Sequence, residues 1–221
     1  MKKILVIGND QNLAEFKSKF TANHDYEFCE GYLMKNDLED YDLVFDFLIG
    51  DNPEQFEIYA EVSGLPVFVN APKISLGELA FYQAEVNCLL FGFNGMPDFL
   101  DRPLLEVSSL SSENEDLLRQ ICAELETDLE IVNDRVGMVT PRILCMIINE
   151  AFYTLQEGTA TIEDIDQGMK LGTNYPFGPF EWCDRIGLQH VYELLEAIYE
   201  DTKEERYKIC PLLKQNYLRL K

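Results

Sequence analysis

The sequence predicts two domains of different class, an α/β half over residues 1–133 and an all-α half over residues 134–221. Two observations carry this. Up to Val132, short apolar runs alternate with amphipathic stretches and turn residues, the pattern of strands joined by helices. From Val136 the pattern changes: Val136, Val139, Ile143, Met146, Ile147, Ala151 and Leu155 recur at helical spacing, and Gly158 stands where a helix stops.

The first strand is Lys2–Gly8, an apolar run ending in glycine. Asn9-Asp10-Gln11-Asn12 then leads into a helical Leu13–Phe20, giving the strand-turn-helix order that opens a dinucleotide-binding, Rossmann-like sheet. Its phosphate loop is incomplete. Glycines belong at positions 8, 10 and 13, and only Gly8 is present; Asp10 brings a carboxylate where two phosphates would sit, and reads more simply as a helix cap. Tyr26–Glu30 is a second strand, with Glu30 at the distance where such sheets put the acid that holds ribose hydroxyls. Tyr41–Leu48 is the next strand, Pro53–Ser63 a helix closed by Gly64, and Pro66–Val69 another strand. Asn70–Ala80 is a loop and helix, Asn87–Phe91 a strand, Leu104–Val107 a strand, Glu113–Glu126 an acidic amphipathic helix and Asp128–Val132 the last strand.

In the second half the long helix is followed by Thr161 and Asp164, a capping box opening a helix through Met169 and Lys170. Tyr175-Pro-Phe-Gly-Pro-Phe-Glu181 sets two prolines and a glycine among aromatics, which is a packed turn, with Trp182 packing after Phe180. Helices then resume. An apolar helix face this broad needs more cover than a small domain provides, so self-association is expected through Val136 to Tyr199.

Composition bounds the partners. A net charge of −22 repels nucleic acid and anionic membrane surfaces. No apolar run approaches membrane-spanning length, and Met-Lys-Lys-Ile-Leu-Val-Ile-Gly is too brief for a signal peptide, so a cytoplasmic location is expected. The six cysteines have no C-x-x-C spacing, which argues against a metal site and a disulfide framework and leaves them reduced and buried.

Asp134-Arg-Val-Gly-Met, Arg142-Ile-Leu, Asn149-Glu-Ala, Gly158, Asp164-Ile-Asp166, Met169-Lys-Leu-Gly172, Tyr175 to Glu181, Asp184 and Gly187-Leu188 resemble, in order and spacing, the C-terminal helical domain of the 3-hydroxyacyl-CoA dehydrogenases. The likeness covers most of Asp134 to Leu213. In the first half Asn70, Ser75, Glu78, Leu79 and Ala80, then Phe93, Asn94, Pro97, Glu106 and Val107, match that family too. The resemblance implies an abbreviated Rossmann-like domain, because the family carries a further helix and strand before the Tyr41 run, followed by an all-α dimerisation domain. It also implies NAD as cofactor, acyl-CoA as ligand and a homodimer through the C-terminal helices. Cofactor-binding candidates are Gly8, Glu30 and Asn70; substrate candidates are Lys73 and Asn94; no metal is implied.

Oxidising a 3-hydroxyacyl thioester needs a base for the hydroxyl proton, a carboxylate to orient it, and donors for the developing carbonyl. By the resemblance, Phe91 stands in place of the histidine, Pro72 of the serine and Pro141 of the asparagine, which leaves Glu106 as the residual catalytic residue. Phenylalanine has no lone pair to accept a proton, and proline no hydrogen to donate. Thr140-Pro141 also reads as an N-cap and first helical turn. The two histidines, His24 and His190, read as solvated surface residues. The first reading is therefore a homologue without the catalytic machinery, binding acyl-CoA, a nucleotide or a protein. A second is an active NAD-dependent dehydrogenase using Glu106, Asn94 or a water in place of the histidine. A third is a pure interaction module whose pocket Phe91 and Pro72 fill.

Overall fold

The computed structural model describes residues 1–32 and 35–220. The chain forms two compact units, Met1–Met138 and Val139–Lys221.

The first unit contains β1 (Lys3–Ile7), α1 (Asp10–Lys19), β2 (Asp25–Cys29), β3 (Leu43–Asp46), α2 (Glu57–Ala60), β4 (Pro66–Asn70), α3 (Leu76–Phe81), β5 (Leu89–Phe93), β6 (Leu104–Ser109), α4 (Glu115–Glu124) and β7 (Asp128–Ile131). One seven-stranded sheet has the order β2-β1-β3-β4-β5-β6-β7. Every pairing is parallel except that of β5 with β6. The strands are apolar on both faces because both are covered. One face carries Ile4, Val6, Leu43, Phe45, Phe68, Phe91, Phe93, Leu105 and Val107 under α1 and α4, and the other carries Leu5, Ile7, Val44, Val67, Val69 and Leu90. Residue alternation along each strand assigns every side chain to one face or the other.

β2 is one of the two edge strands, so the order around β1 is 2-1-3, and the sheet reverses direction of growth between β1 and β3. In open α/β sheets that reversal opens a crevice at the carboxyl ends of the two strands.

The first unit extends five residues beyond the expected boundary at 133, and polar contacts explain it. The Asp134 carboxylate accepts the amides of Leu76 and Gly77, both at 2.8 Å, and the Gly137 amide donates to Pro72 O at 2.6 Å. Gly137 and Met138 then take φ of 89° and 46°, left-handed values that end the strap and delay the long helix to Thr140 rather than Val136.

The second unit comprises α5 (Thr140–Gln156), α6 (Ile162–Thr173), α7 (Pro179–Ile186), α8 (Leu188–Thr202) and α9 (Pro211–Leu218). α5 packs against α7, α8 and α9, burying Leu144, Cys145, Ile148, Ala151 and Phe152. That is not the face the Val139, Ile143, Met146 and Ile147 spacing marks. Val139 is 47% and Ile143 55% exposed, and Met146 and Ile147 are half-buried. Among the described residues no helix is long and apolar enough to cross a membrane.

Candidate functional site

The crevice between β1 and β3 gathers several of the expected cofactor residues. Gly8 follows β1, and its amide donates to Cys29 O at 3.0 Å, which sets the exposed Glu30 beside it. Asn70 ends β4, and its side chain donates to Phe47 O at 3.3 Å and accepts from the Gly95 amide at 2.9 Å. Asn70 thus spends both ends of its amide tying three strand-end loops together. Lys73 forms an ion pair with Asp51 at 2.8 Å, and its side chain is only 14% exposed.

The start of α1 is closed from within. Asn9, not Asp10, is the cap: its side chain accepts the Asn12 amide at 3.0 Å, while the Asn12 side chain accepts the Asn9 amide at 3.1 Å. Asp10 is the first helical residue, and the helix opens three residues before the expected Leu13. A Cβ on Gly8 would lie 2.8 Å from Asn12 Cβ, so the space Gly8 leaves is filled by this side chain.

Asp46, at the end of β3, is fully buried in the same crevice. Its carboxylate accepts from the Leu48 amide at 2.7 Å, the Ile49 amide at 3.1 Å and the Tyr59 hydroxyl at 3.0 Å, with the Tyr32 hydroxyl at 3.5 Å. Burial pushes its carboxyl up to about 6, against the hydrogen bonds from Leu48, Tyr59, Tyr32 and Ile49 that favour the charge. The reading of the sequence passed over Asp46, although an acid ending an apolar strand and followed by free amides is the signature of a side-chain turn.

A second group lies where β5 meets β6. The antiparallel register pairs Phe91 with Ser109, Gly92 with Ser108 and Phe93 with Val107. Phe91 and Phe93 therefore share one face with Leu105 and Val107, where Phe91 packs on Phe68 at 5.1 Å between ring centroids. Glu106 and Ser108 point to the other face, with Gly92 across from Ser108 and Asn94 across from Glu106, whose carbonyl accepts the Asn94 amide at 3.0 Å. Glu106 consequently shares its face with Asn94 and Gly92, not with Phe91. A side chain at Gly92 would run into Ser108 Oγ and come within 2.9 Å of Ala71 Cβ. Glu106 is 7% and Asn94 3% exposed, and Asn94 Oδ1 accepts the Met96 amide at 3.4 Å. Pro72 is buried in the loop after β4, and Pro141 is the second residue of α5, after a Val139 cap rather than a Thr140 one.

Comparison with known proteins adds the following. Residues 137–219 match the model of the 3-hydroxyacyl-CoA dehydrogenase C-terminal domain. A 3-hydroxybutyryl-CoA dehydrogenase of Clostridioides difficile is 26% identical over 211 residues, 90% of this chain and 70% of that protein. Residues 137–219 belong to the 3-hydroxyacyl-CoA dehydrogenase family as its C-terminal domain. The 3-hydroxyadipyl-CoA dehydrogenase of Escherichia coli (strain K12) is 46% identical, but over 93 residues, 42% of this chain and 19% of that protein. In a 3-hydroxybutyryl-CoA dehydrogenase of Bradyrhizobium diazoefficiens the match spans 32% of the relative, so identity above a third is confined to part of each protein. Among solved structures, FadB2 of Mycobacterium tuberculosis superposes with a TM-score of 0.79 at 20% identity, covering 98% of this chain and 93% of that one, a likeness of fold.

A 3-hydroxyacyl-CoA dehydrogenase of this family uses NAD, whose pyrophosphate needs helix-terminal amides and positive potential. The residues around α1 do not fit that group. The Asn9 and Asn12 amides are taken by the reciprocal cap. Residues 8–12, 46–53 and 70–75 hold Asp10, Asp46 and Asp51 against the single base Lys73, which is paired with Asp51. Among the described residues no group of three His, Cys, Asp or Glu side chains could hold a metal ion.

The family's fingerprint in the second unit serves the packing of its helices. Asp166, 7% exposed, accepts the Phe180 amide at 2.8 Å and the Glu181 amide at 3.2 Å, capping α7. Glu181 in turn accepts the Gly178 amide at 2.9 Å and pairs with Lys170. Asn149 donates to Lys208 O and accepts the Cys210 amide, both side-chain bonds near 3 Å, at 3.0 and 2.9 Å. Trp182 is buried edge-on against Phe177 at 5.0 Å.

Neither histidine is merely solvated. His24 is half-buried, with its Nδ1 accepting the Lys2 amide at 3.1 Å and its Nε2 3.1 Å from Glu124 O, at the start of the edge strand β2. His190 is half-buried on α8. The six cysteines are free, and all but the half-buried Cys29 are buried; burial pushes the Cys88, Cys122 and Cys183 thiols up to about 12.

Proposed function

We propose that this chain is a non-catalytic member of the 3-hydroxyacyl-CoA dehydrogenase family, working in the cytoplasm as a homodimer that holds an acyl-CoA, a nucleotide or a protein partner without transforming it. The observation that carries this is the face around Glu106. Directly across from Glu106 stands Asn94, whose amide side chain is no general base, and the next residue on that face is Gly92, where an imidazole has no room. Absence of a general base alone costs about two to four orders of magnitude in rate. Pro72 and Pro141 supply no donor side chains in place of the serine and asparagine. The reciprocal Asn9 and Asn12 cap supports the same reading for the cofactor loop.

The homodimer rests on α5. Val139 and Ile143, with Met146 and Ile147 beside them, form an apolar stripe on the side away from the buried Leu144, Ile148 and Phe152. Titration with NADH and, separately, acetoacetyl-CoA while following Trp182 emission tests the ligand part. Saturable binding of acetoacetyl-CoA without NADH consumption is the outcome this reading expects; consumption of NADH on mixing all three contradicts it.

A further inference from the structure

The first unit carries a pair of aromatic rings that its own core does not use. Phe81, the last residue of α3, is 81% exposed, and Tyr82, its C-cap, is 76% exposed. Their rings meet edge to face with centroids 5.3 Å apart. Beside them lies a groove of about 290 Å³, floored by Pro53, Ile74 and Leu79 and walled by Tyr82 with the carboxylates of Glu54 and Glu78. Both carboxylates are exposed, and among the described residues neither has a cationic partner. The two stretches that build this surface, 49–62 and 74–87, contain no lysine or arginine.

From this juxtaposition we infer that the Phe81–Tyr82 groove docks an arginine-bearing segment of a partner protein. The volume sits at the lower end of ligand pockets, enough for one long side chain rather than a cofactor. An apolar floor takes the methylene stem of such a side chain, while the head group meets an aromatic face and carboxylates together. A guanidinium is suited to all three contacts, because it stacks on rings and bonds carboxylates in its own plane. The exposed Phe81 ring then covers an apolar residue flanking the arginine. A second copy of this chain is a poor occupant: presenting the same acidic surface to itself sets Glu54 and Glu78 against their equivalents. This surface is independent of the dehydrogenase reading and stands or falls apart from it.

Fluorescence anisotropy of a labelled heptapeptide carrying two arginines flanked by leucines, added to the full chain, tests the inference. The expected result is saturable binding at micromolar concentration, weakened about tenfold or more by Tyr82→Ala and by Glu78→Gln separately. The same peptide with citrulline for arginine is expected to lose binding to a similar extent. The exposed pair Glu204→Gln with Glu205→Gln removes two charges elsewhere and should leave the affinity within twofold. Equal weakening by that pair, equal binding of the citrulline peptide, or no saturation would each overturn the assignment. So would a chain mass that rises with concentration and falls on Phe81→Ala, since that would make a second copy the occupant.

Discussion

Phe91 and Glu106 project from opposite faces of one sheet, because β5 and β6 pair Phe91 with Ser109 and Phe93 with Val107. On the proposed non-catalytic reading, the missing base is therefore a matter of strand register as well as of one side chain. Restoring a histidine at position 91 would put it among Phe68, Leu105 and Val107, away from Glu106.

Phe91→His is accordingly expected to lower stability by about 2–4 kcal/mol, since it trades a buried ring for an imidazole without a partner. Urea denaturation with and without the substitution measures the loss, and an assay of the same variant with NADH and acetoacetyl-CoA is expected to stay blank. A variant of unchanged stability that turns over substrate would mean that the side chain reaches the Glu106 face.

Asp46 sets a pH dependence whose sign follows from its raised carboxyl. The folded state holds the proton more tightly than the unfolded chain, up to about 6 against an ordinary 3.8. Its contribution to stability is therefore complete below about pH 4 and is lost as pH rises through about 6. Asp46→Asn removes this titration while keeping an acceptor for the Leu48 and Ile49 amides. Stability of the variant relative to the native chain is expected to rise by roughly 3 kcal/mol between pH 4 and pH 7. Parallel unfolding free energies across that range would contradict it.

Asp166 is a buried helix cap. Replacing it by alanine strands the Phe180 and Glu181 amides at the start of α7 and is expected to cost about 1–3 kcal/mol. Gly178→Ala is expected to be comparably harmful, because its new Cβ would collide with the Asp166 side chain. Thermal unfolding of both variants, with Asp184→Ala as an exposed control, checks this.

The α5 stripe makes the assembly testable. Light scattering of the native chain at micromolar concentration is expected to give about twice the 25.5 kDa chain mass. Ile143→Glu should bring it to one chain mass while leaving the far-ultraviolet circular dichroism of the folded chain unchanged, since Ile143 is 55% exposed on the single chain and contributes little to its core. A native monomer removes the dimer from the account.

Much of the architecture is legible in the sequence because strand and helix periods differ and each run shows one of them. The apolar runs at Lys3–Ile7, Leu43–Asp46 and Pro66–Asn70 are strands because both sheet faces are covered. The start of α5 was less legible. Val136 continues the helical spacing, yet the left-handed Gly137 and Met138 break the helix before it begins. The site was harder still. A resemblance aligns Phe91 with a histidine residue by residue, but only the pairing of β5 with β6 tells which face a side chain takes, and a shift of one residue moves it to the other face. Asp46 escaped notice because its importance lies in burial and in Tyr59, thirteen residues later, which no local pattern joins to it.

The measurement that bears most directly on the central reading is turnover: purified chain, NADH and acetoacetyl-CoA, with absorbance of the reduced nicotinamide followed near neutral pH. The rate is expected to equal that without protein. NADH oxidation that depends on the chain and disappears on Glu106→Ala would show that this face performs hydride-transfer chemistry after all.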